Sequence, residues 1–126
     1  MTLWLRPWGR GGEGKHTMPD SYQLVSVYLN EADLWEHRPL HLEILHFLHE
    51  AGCSGGTVLR GIAGFTAGAG VVTSASVEEG RKLPVVVQFV VQAEKVAEVM
   101  PTLRRMAGNR LITVQDALVV PASETP

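Results

Sequence analysis

The chain has 126 residues, of which 11 are Lys or Arg and 13 are Asp or Glu, for a net charge of −2, and 45% are apolar. That is one globular domain, with too much apolar content and too little net charge for a disordered chain. The single Cys53 excludes an internal disulfide framework and a cysteine-built zinc site. Scattered charge lacks the clustered basic face of a nucleic-acid binder. No apolar run approaches the ~20 residues of a membrane span. The composition is that of a small soluble domain, expected to be cytoplasmic.

Residues 1–21 read as a flexible arm. Met1–Ser21 carries four glycines, two prolines and three basic residues with no periodicity. Its apolar stretch is too short for a secretory leader. Met18 offers a second start, and Trp4 and Trp8 offer a clip onto a neighbouring surface. The domain follows over 22–120, and 121–126 is a short polar tail.

Within the domain, 22–29 (YQLVSVYL) is β-branched and aromatic, which predicts a strand. A polar loop leads to Pro39, suited to a first helical turn. Leu40, Ile44, Leu45, Phe47, Leu48 and Ala51 follow at helical spacing, and Gly52 is the stop. A second strand is expected over 57–63. Gly64 to Lys82 is a long connection without a clean period. The run 84–91 (PVVVQFVV) is a third strand. The second helix is expected over Glu94–Ala107, with Pro101 kinking it or marking where its regular part begins. Gly108 is its stop, and Arg104 and Arg105 suit its last turn. The last strand is expected over 114–120.

The order β-α-β-β-α-β predicts an α+β, ferredoxin-like fold: a four-stranded antiparallel sheet with two helices on one face. Val85, Val87, Phe89 and Val91 then meet the helices, while Val86 and Val90 point away. Val25, Val27 and Leu29 oppose Leu24 and Tyr28 in the same manner. An antiparallel sheet normally solvates its second face. Two helices cannot cover both sides, and the simplest cover is another copy of the chain.

Seven of the thirteen glycines fall between Gly52 and Gly70. The stretch T57-V-L-R-G-I-A-G-F65 places Arg60 just ahead of Gly61 and Gly64. It is neither a Walker A loop nor a dinucleotide fingerprint. Two readings stand: a bulged strand end with a flexible hairpin, or an anion cradle with Arg60 as the fixed charge.

The stretch G55-G-T-V-L-R-G-I-A-G-F65, with R38-P-L before it and L83-P-V-V-V after it, resembles the domain-of-unknown-function family number 190, which belongs to the PII-like group. The resemblance covers about residues 22–120. It implies a homotrimer with sheets packed around a threefold axis. It implies a mobile loop between strands two and three, here Thr66–Lys82, that contacts a partner protein. It also implies sites for a small anionic effector in the clefts between subunits, and nucleotides are the usual effectors of the wider group. The family's His-Thr pair is replaced here by the segment Val72 to Ser76. Only G108-N-R-L-I112 stands where classical PII proteins carry a phosphate loop. Candidate ligand-binding residues are Arg60, Gly61, Gly64 and Phe65, joined by Arg104, Arg105 and Arg110.

The rival reading is a divalent-metal binder of the CutA type, which shares this fold. His37, His41, His46 and His49 lie within 13 residues, with Glu50 and Cys53 nearby. Their spacing can place two ligands on one helix face. The apolar stripe Leu40, Ile44, Leu45, Leu48 leaves most of these histidines on the solvent side. The chain shows no nucleophile elbow, paired carboxylates or cofactor motif, so neither catalysis nor a cofactor is expected.

Overall fold

A computed structural model describes residues 21–123. The sequence readings for residues 1–20 and 124–126, covering nearly all of the arm and half of the tail, lie outside the described residues. Strand β1 (Tyr22–Asn30) is central, flanked by β7 (Pro84–Gln92) and β8 (Ile112–Ala117), and β4 (Thr57–Arg60) pairs with the far side of β7. The order β4-β7-β1-β8 is antiparallel throughout, which is the ferredoxin-like arrangement expected. Helices α1 (Leu40–Glu50) and α2 (Ala93–Ala107) pack on one face of this sheet.

Alternation along the strands builds the core. Val25, Val27 and Leu29 of β1 and Val85, Val87, Phe89 and Val91 of β7 are buried against the helices. Leu40, Ile44 and Leu48 answer from α1, and Val96, Val99, Leu103 and Met106 from α2. Burying a side chain of this size contributes roughly 1.5–3 kcal/mol, so this layer dominates the stability. Helix α1 ends where Gly52 takes φ 92°, and Lys95 Nζ donates to the Ala51 carbonyl at 2.8 Å. A cation from α2 thereby sits at the negative end of α1. Helix α2 runs through Pro101 and stops at Gly108, φ 63°.

The second strand, the last strand and the two long connections differ from expectation. The second strand ends at Arg60 instead of residue 63. Its next ladder partner is Pro84, which has no N–H to give, although Gly61 N still donates to Pro84 O at 2.8 Å. The chain then turns off into a separate hairpin of β5 (Ala63–Gly64) and β6 (Val72–Thr73), followed by a 3-10 turn over Ser74–Glu79. The long connection is thus partly structured. The last strand spans 112–117 rather than 114–120, because Ala117 lies opposite Tyr22 and the chain beyond it runs past the end of β1. A short hairpin, β2 (Leu34–Trp35) with β3 (Arg38–Pro39), precedes α1, so the expected polar loop also contains paired backbone.

The second face of the sheet carries Leu24, Ser26 and Tyr28 from β1, Val86, Gln88 and Val90 from β7, and Leu59 from β4. Ser26 is buried there and accepts a 3.2 Å hydrogen bond from Gln88 Nε2. Tyr28, Val90 and Leu59 remain exposed. Among the described residues, no helix is long and apolar enough to cross a membrane.

Candidate anion-binding cleft

At one end of the sheet, the turn after β1 is held by its own side chains. Asn30 Oδ1 accepts from Ala32 N at 2.8 Å, and Asp33 Oδ2 accepts from Asn30 N at 2.9 Å. Such local bonds are why Asn and Asp favour turns. They fix the Asp33 carboxylate, whose Oδ1 accepts from Arg110 Nη2 at 2.5 Å. Arg110 is fixed from behind as well. Arg104 Nη2 donates to the carbonyls of Gly108, at 2.6 Å, and of Arg110, tying down the turn that follows α2.

The β5–β6 loop closes the other side. Phe65 and Thr66 open it, and Ala69 N donates to Thr66 O at 3.0 Å. Gly70 lies against Arg81, where a Cβ would stand 3.9 Å from the guanidinium. Between loop and turn lies a hollow of about 340 Å³ walled by Asn30, Asp33, Phe65, Arg81, Lys82 and Arg110. Among the described residues, three cationic side chains line it against one carboxylate. Arg81 has no ion-pair partner among the described residues. Arg110 spends one donor on Asp33 and keeps others, since a guanidinium has five. The arrangement can hold an anion by charge-assisted hydrogen bonds.

A second clasp stands beside this cleft, outside its walls. Arg60 Nε pairs with Glu31 Oε2 at 2.8 Å, and Arg60 Nη2 donates to Oε1 at 3.3 Å. Leu83 N donates to the same Oε1 at 3.0 Å, and Glu31 N returns a bond to Leu83 O. Burial alone would raise the Glu31 carboxyl. The Leu83 N–H and the Arg60 guanidinium, with the Lys82 charge, outweigh it and hold the group below the usual carboxylate range.

The seven residues singled out from sequence therefore divide. Phe65 and Arg110 come together in the cleft, and Arg104 supports it from outside. Arg60 is engaged by Glu31. Gly61 and Gly64 pack on Pro84: a Cβ at Gly64, φ 156°, would stand 3.0 Å from Pro84 Cγ. The absence of a side chain at each lets the chain cross closely over Pro84 of β7. Arg105 lies in a separate groove with Trp35, Glu43 and Glu50. Asn30, Asp33, Arg81 and Lys82 were not singled out. The adjacent cations closing a loop of small residues were the available signal.

The histidines disperse. His37 sits in the β2–β3 turn at φ 71°, while His46 and His49 border a hollow of about 350 Å³ beside Cys53. Burial, joined by Glu98 and opposed by Lys95, pushes the Cys53 thiol up, so it is a poor thiolate ligand. Among the described residues, no three His, Cys, Asp or Glu side chains are grouped so as to hold a metal ion.

A four-stranded ferredoxin-like domain with a cleft at the end of its sheet is thus the class of protein the structure defines. Residues 22–119 match the domain-of-unknown-function family number 190, described as "Uncharacterized ACR". The chain belongs to this PII-like family. It is 31% identical over 98 residues to a UPF0166 protein of Methanocaldococcus jannaschii, covering 77% of this chain and 90% of that one. It is 28% identical over 98 residues to a UPF0166 protein of Aquifex aeolicus, covering 78% and 92%.

Proposed function

We propose that the protein is a PII-like regulator. It assembles as a homotrimer, binds a small anionic ligand in the cleft between Asp33 and Arg81, and contacts a partner protein through the segment 66–82. It is not an enzyme. The observation that carries this reading is the convergence of Arg81, Lys82 and Arg110 on the wall of that same segment. An anion bridging these cations ties the loop to the body of the domain, which converts ligand binding into a change of loop order.

Two further features support it. Ile62, Phe65, Val71 and Val77 are large apolar side chains exposed on or beside the loop, as a docking surface requires. Tyr28, Val90 and Leu59 are exposed on the helix-free sheet face, where a second copy would bury them.

Calorimetry with phosphate and nucleotides tests the ligand: affinity is expected in the native chain and loss in Arg81→Ala with Arg110→Ala. Unchanged affinity in that double variant removes the cleft as the site. Sedimentation tests the assembly. A trimer at micromolar concentration is expected, and Val90→Asp is expected to give monomers, because a buried unpaired charge costs several kcal/mol. A native monomer overturns the trimer.

A further inference from the structure

The helix layer carries a groove that the anion cleft and the sheet face leave unused. The end of α1 meets the start of α2, where Lys95 Nζ reaches the Ala51 carbonyl. Trp35 and Arg38, just ahead of α1, share a hollow of about 560 Å³ with Arg105 and Met106, near the end of α2. The two helices therefore run antiparallel, and the hollow follows the seam between them. Its floor is apolar: Trp35 and Phe47 are half-buried against the core, and Met106 is buried. The turn that presents Trp35 is held in an unfavourable conformation. Glu36 at φ 51° and His37 at φ 71° both lie in the left-handed region, where a Cβ is crowded. This turn sets Trp35 opposite Arg38 on the β2–β3 hairpin.

Among the described residues, the charges separate along the groove. Arg38 is paired with Glu43 at 3.3 Å, whereas Arg105 and Glu50 have no ion-pair partner. Arg105 stands at the Arg38 end, and Glu50 closes α1 at the other. From Glu43 to Glu50 is seven residues, about 10 Å of helix. Arg104 adds to the positive end while donating to the Gly108 and Arg110 carbonyls. Beyond the negative end, Lys95 is taken up by Glu98 and the Ala51 carbonyl. Trp, Phe, Met and Arg are over-represented in protein–protein contacts and Lys is depleted. The described lining holds the first four and no Lys. Helical walls offer no ladder for an extended segment to join, whereas a helix satisfies its own backbone and needs only side-chain contacts.

We propose that this groove receives an amphipathic helix of a partner protein, about three turns long and parallel to α1. Acidic side chains in its first turn meet Arg105, and basic side chains in its last turn meet Glu50, which is the charge order a helix dipole itself favours. Apolar side chains at i, i+3 or i+4, and i+7 lie on Met106, Trp35 and Phe47. The groove is opposite the sheet face proposed to pack against other copies, and it stands apart from the 66–82 segment. This surface is therefore independent of whether that segment contacts a partner.

Selection of random 16-residue peptides displayed on phage against the full chain, followed by calorimetry on the synthetic peptides, tests this. The selected peptides are expected to share the apolar spacing and the acidic-to-basic order, and to gain helical circular dichroism on binding. Arg105→Glu should weaken them roughly tenfold, because like charges then face each other. The double variant Glu50→Arg with Arg105→Glu should prefer peptides whose end charges are exchanged. Both side chains are exposed, so the variants should fold, and an unchanged melting temperature checks this. Failure to select any peptide overturns the proposal. So do peptides that bind the double variant as tightly as the native chain, or that bind without gaining helix. A smaller sedimenting species in the double variant than in the native chain would assign the groove to a second copy and overturn it as well.

Discussion

Arg60 and Arg110 are both guanidinium groups paired to carboxylates in the turn that follows β1, yet their surroundings give them different work. Arg60 meets Glu31 at 2.8 Å on the surface, with its side chain 55% exposed. Glu31 also holds the Leu83 backbone, so this clasp fastens the β1 turn to the start of β7. Arg110 is less exposed, at 23%, and its partner Asp33 stands in a cleft beside two more cations. The first clasp is complete as it stands. The second has cationic capacity left over, and surplus charge facing a hollow is what distinguishes a binding group from a fastening one.

Breaking each clasp in turn sharpens this contrast, and Arg110→Ala should have the largest effect. It removes one charge-assisted hydrogen-bonding group, worth ~1.5–3 kcal/mol, so phosphate affinity should fall roughly ten- to hundredfold by calorimetry. Full affinity in this variant would place the anion elsewhere.

Asp33→Asn should act oppositely and less strongly. The amide oxygen still accepts from Asn30 N, which keeps the turn, while the bond from Arg110 and the repelling charge are gone. Phosphate should bind severalfold tighter, and the gain should shrink in high salt, where exposed charges are screened. Weaker binding would mean that the carboxylate orients Arg110 more than it opposes the ligand.

The contrast between the two arginines was hidden in the sequence for a physical reason. Arg60 reads as a free cation because Glu31 lies 29 residues upstream, and only the packing of the β1 turn against β7 brings them together. Asn30, Phe65, Arg81 and Arg110 come from four separated segments, so no local spacing announces them. The strands were legible where β-branched alternation settles burial locally, as in β1 and β7. The ends of the strands were not, because a ladder stops where its partner does: at Pro84 for β4 and at Tyr22 for β8. Phe65 and Arg110 were legible as residue types suited to a ligand, but their meeting was not.

The Glu31 clasp gives a pH signature. Its carboxyl is held below the ordinary range in the folded chain. The stability this contributes is fully present above the unfolded-chain value, about 4.3. It is lost as pH falls through the lower folded value, because protonation then breaks the bonds to Leu83 N and Arg60. Glu31→Gln should therefore lower the melting temperature near neutral pH and flatten its decline below pH 5. A decline as steep as in the native chain would assign the acid sensitivity to other carboxylates.

The smallest effects are expected from substitutions at Arg60, beginning with Arg60→Ala. An exposed ion pair contributes about 0–1 kcal/mol, because two solvated side chains give up hydration and rotamer freedom to meet. Glu31 retains its bond from Leu83 N in this variant, so the turn keeps its main fastening. The chain should fold, melt at most a few degrees lower, and bind phosphate as before. Arg60→Lys should be milder still, since a lysine can reach one carboxylate oxygen where the fork reached two. The informative measurement is the pair of affinities for Arg60→Ala and Arg110→Ala under identical salt. A large loss only in Arg110→Ala keeps fastening and binding apart. Equal losses in both would join the two clasps into one site, with Glu31 releasing Arg60 to the ligand, and the glycines that follow Arg60 would then matter for binding as well as for the crossing over Pro84.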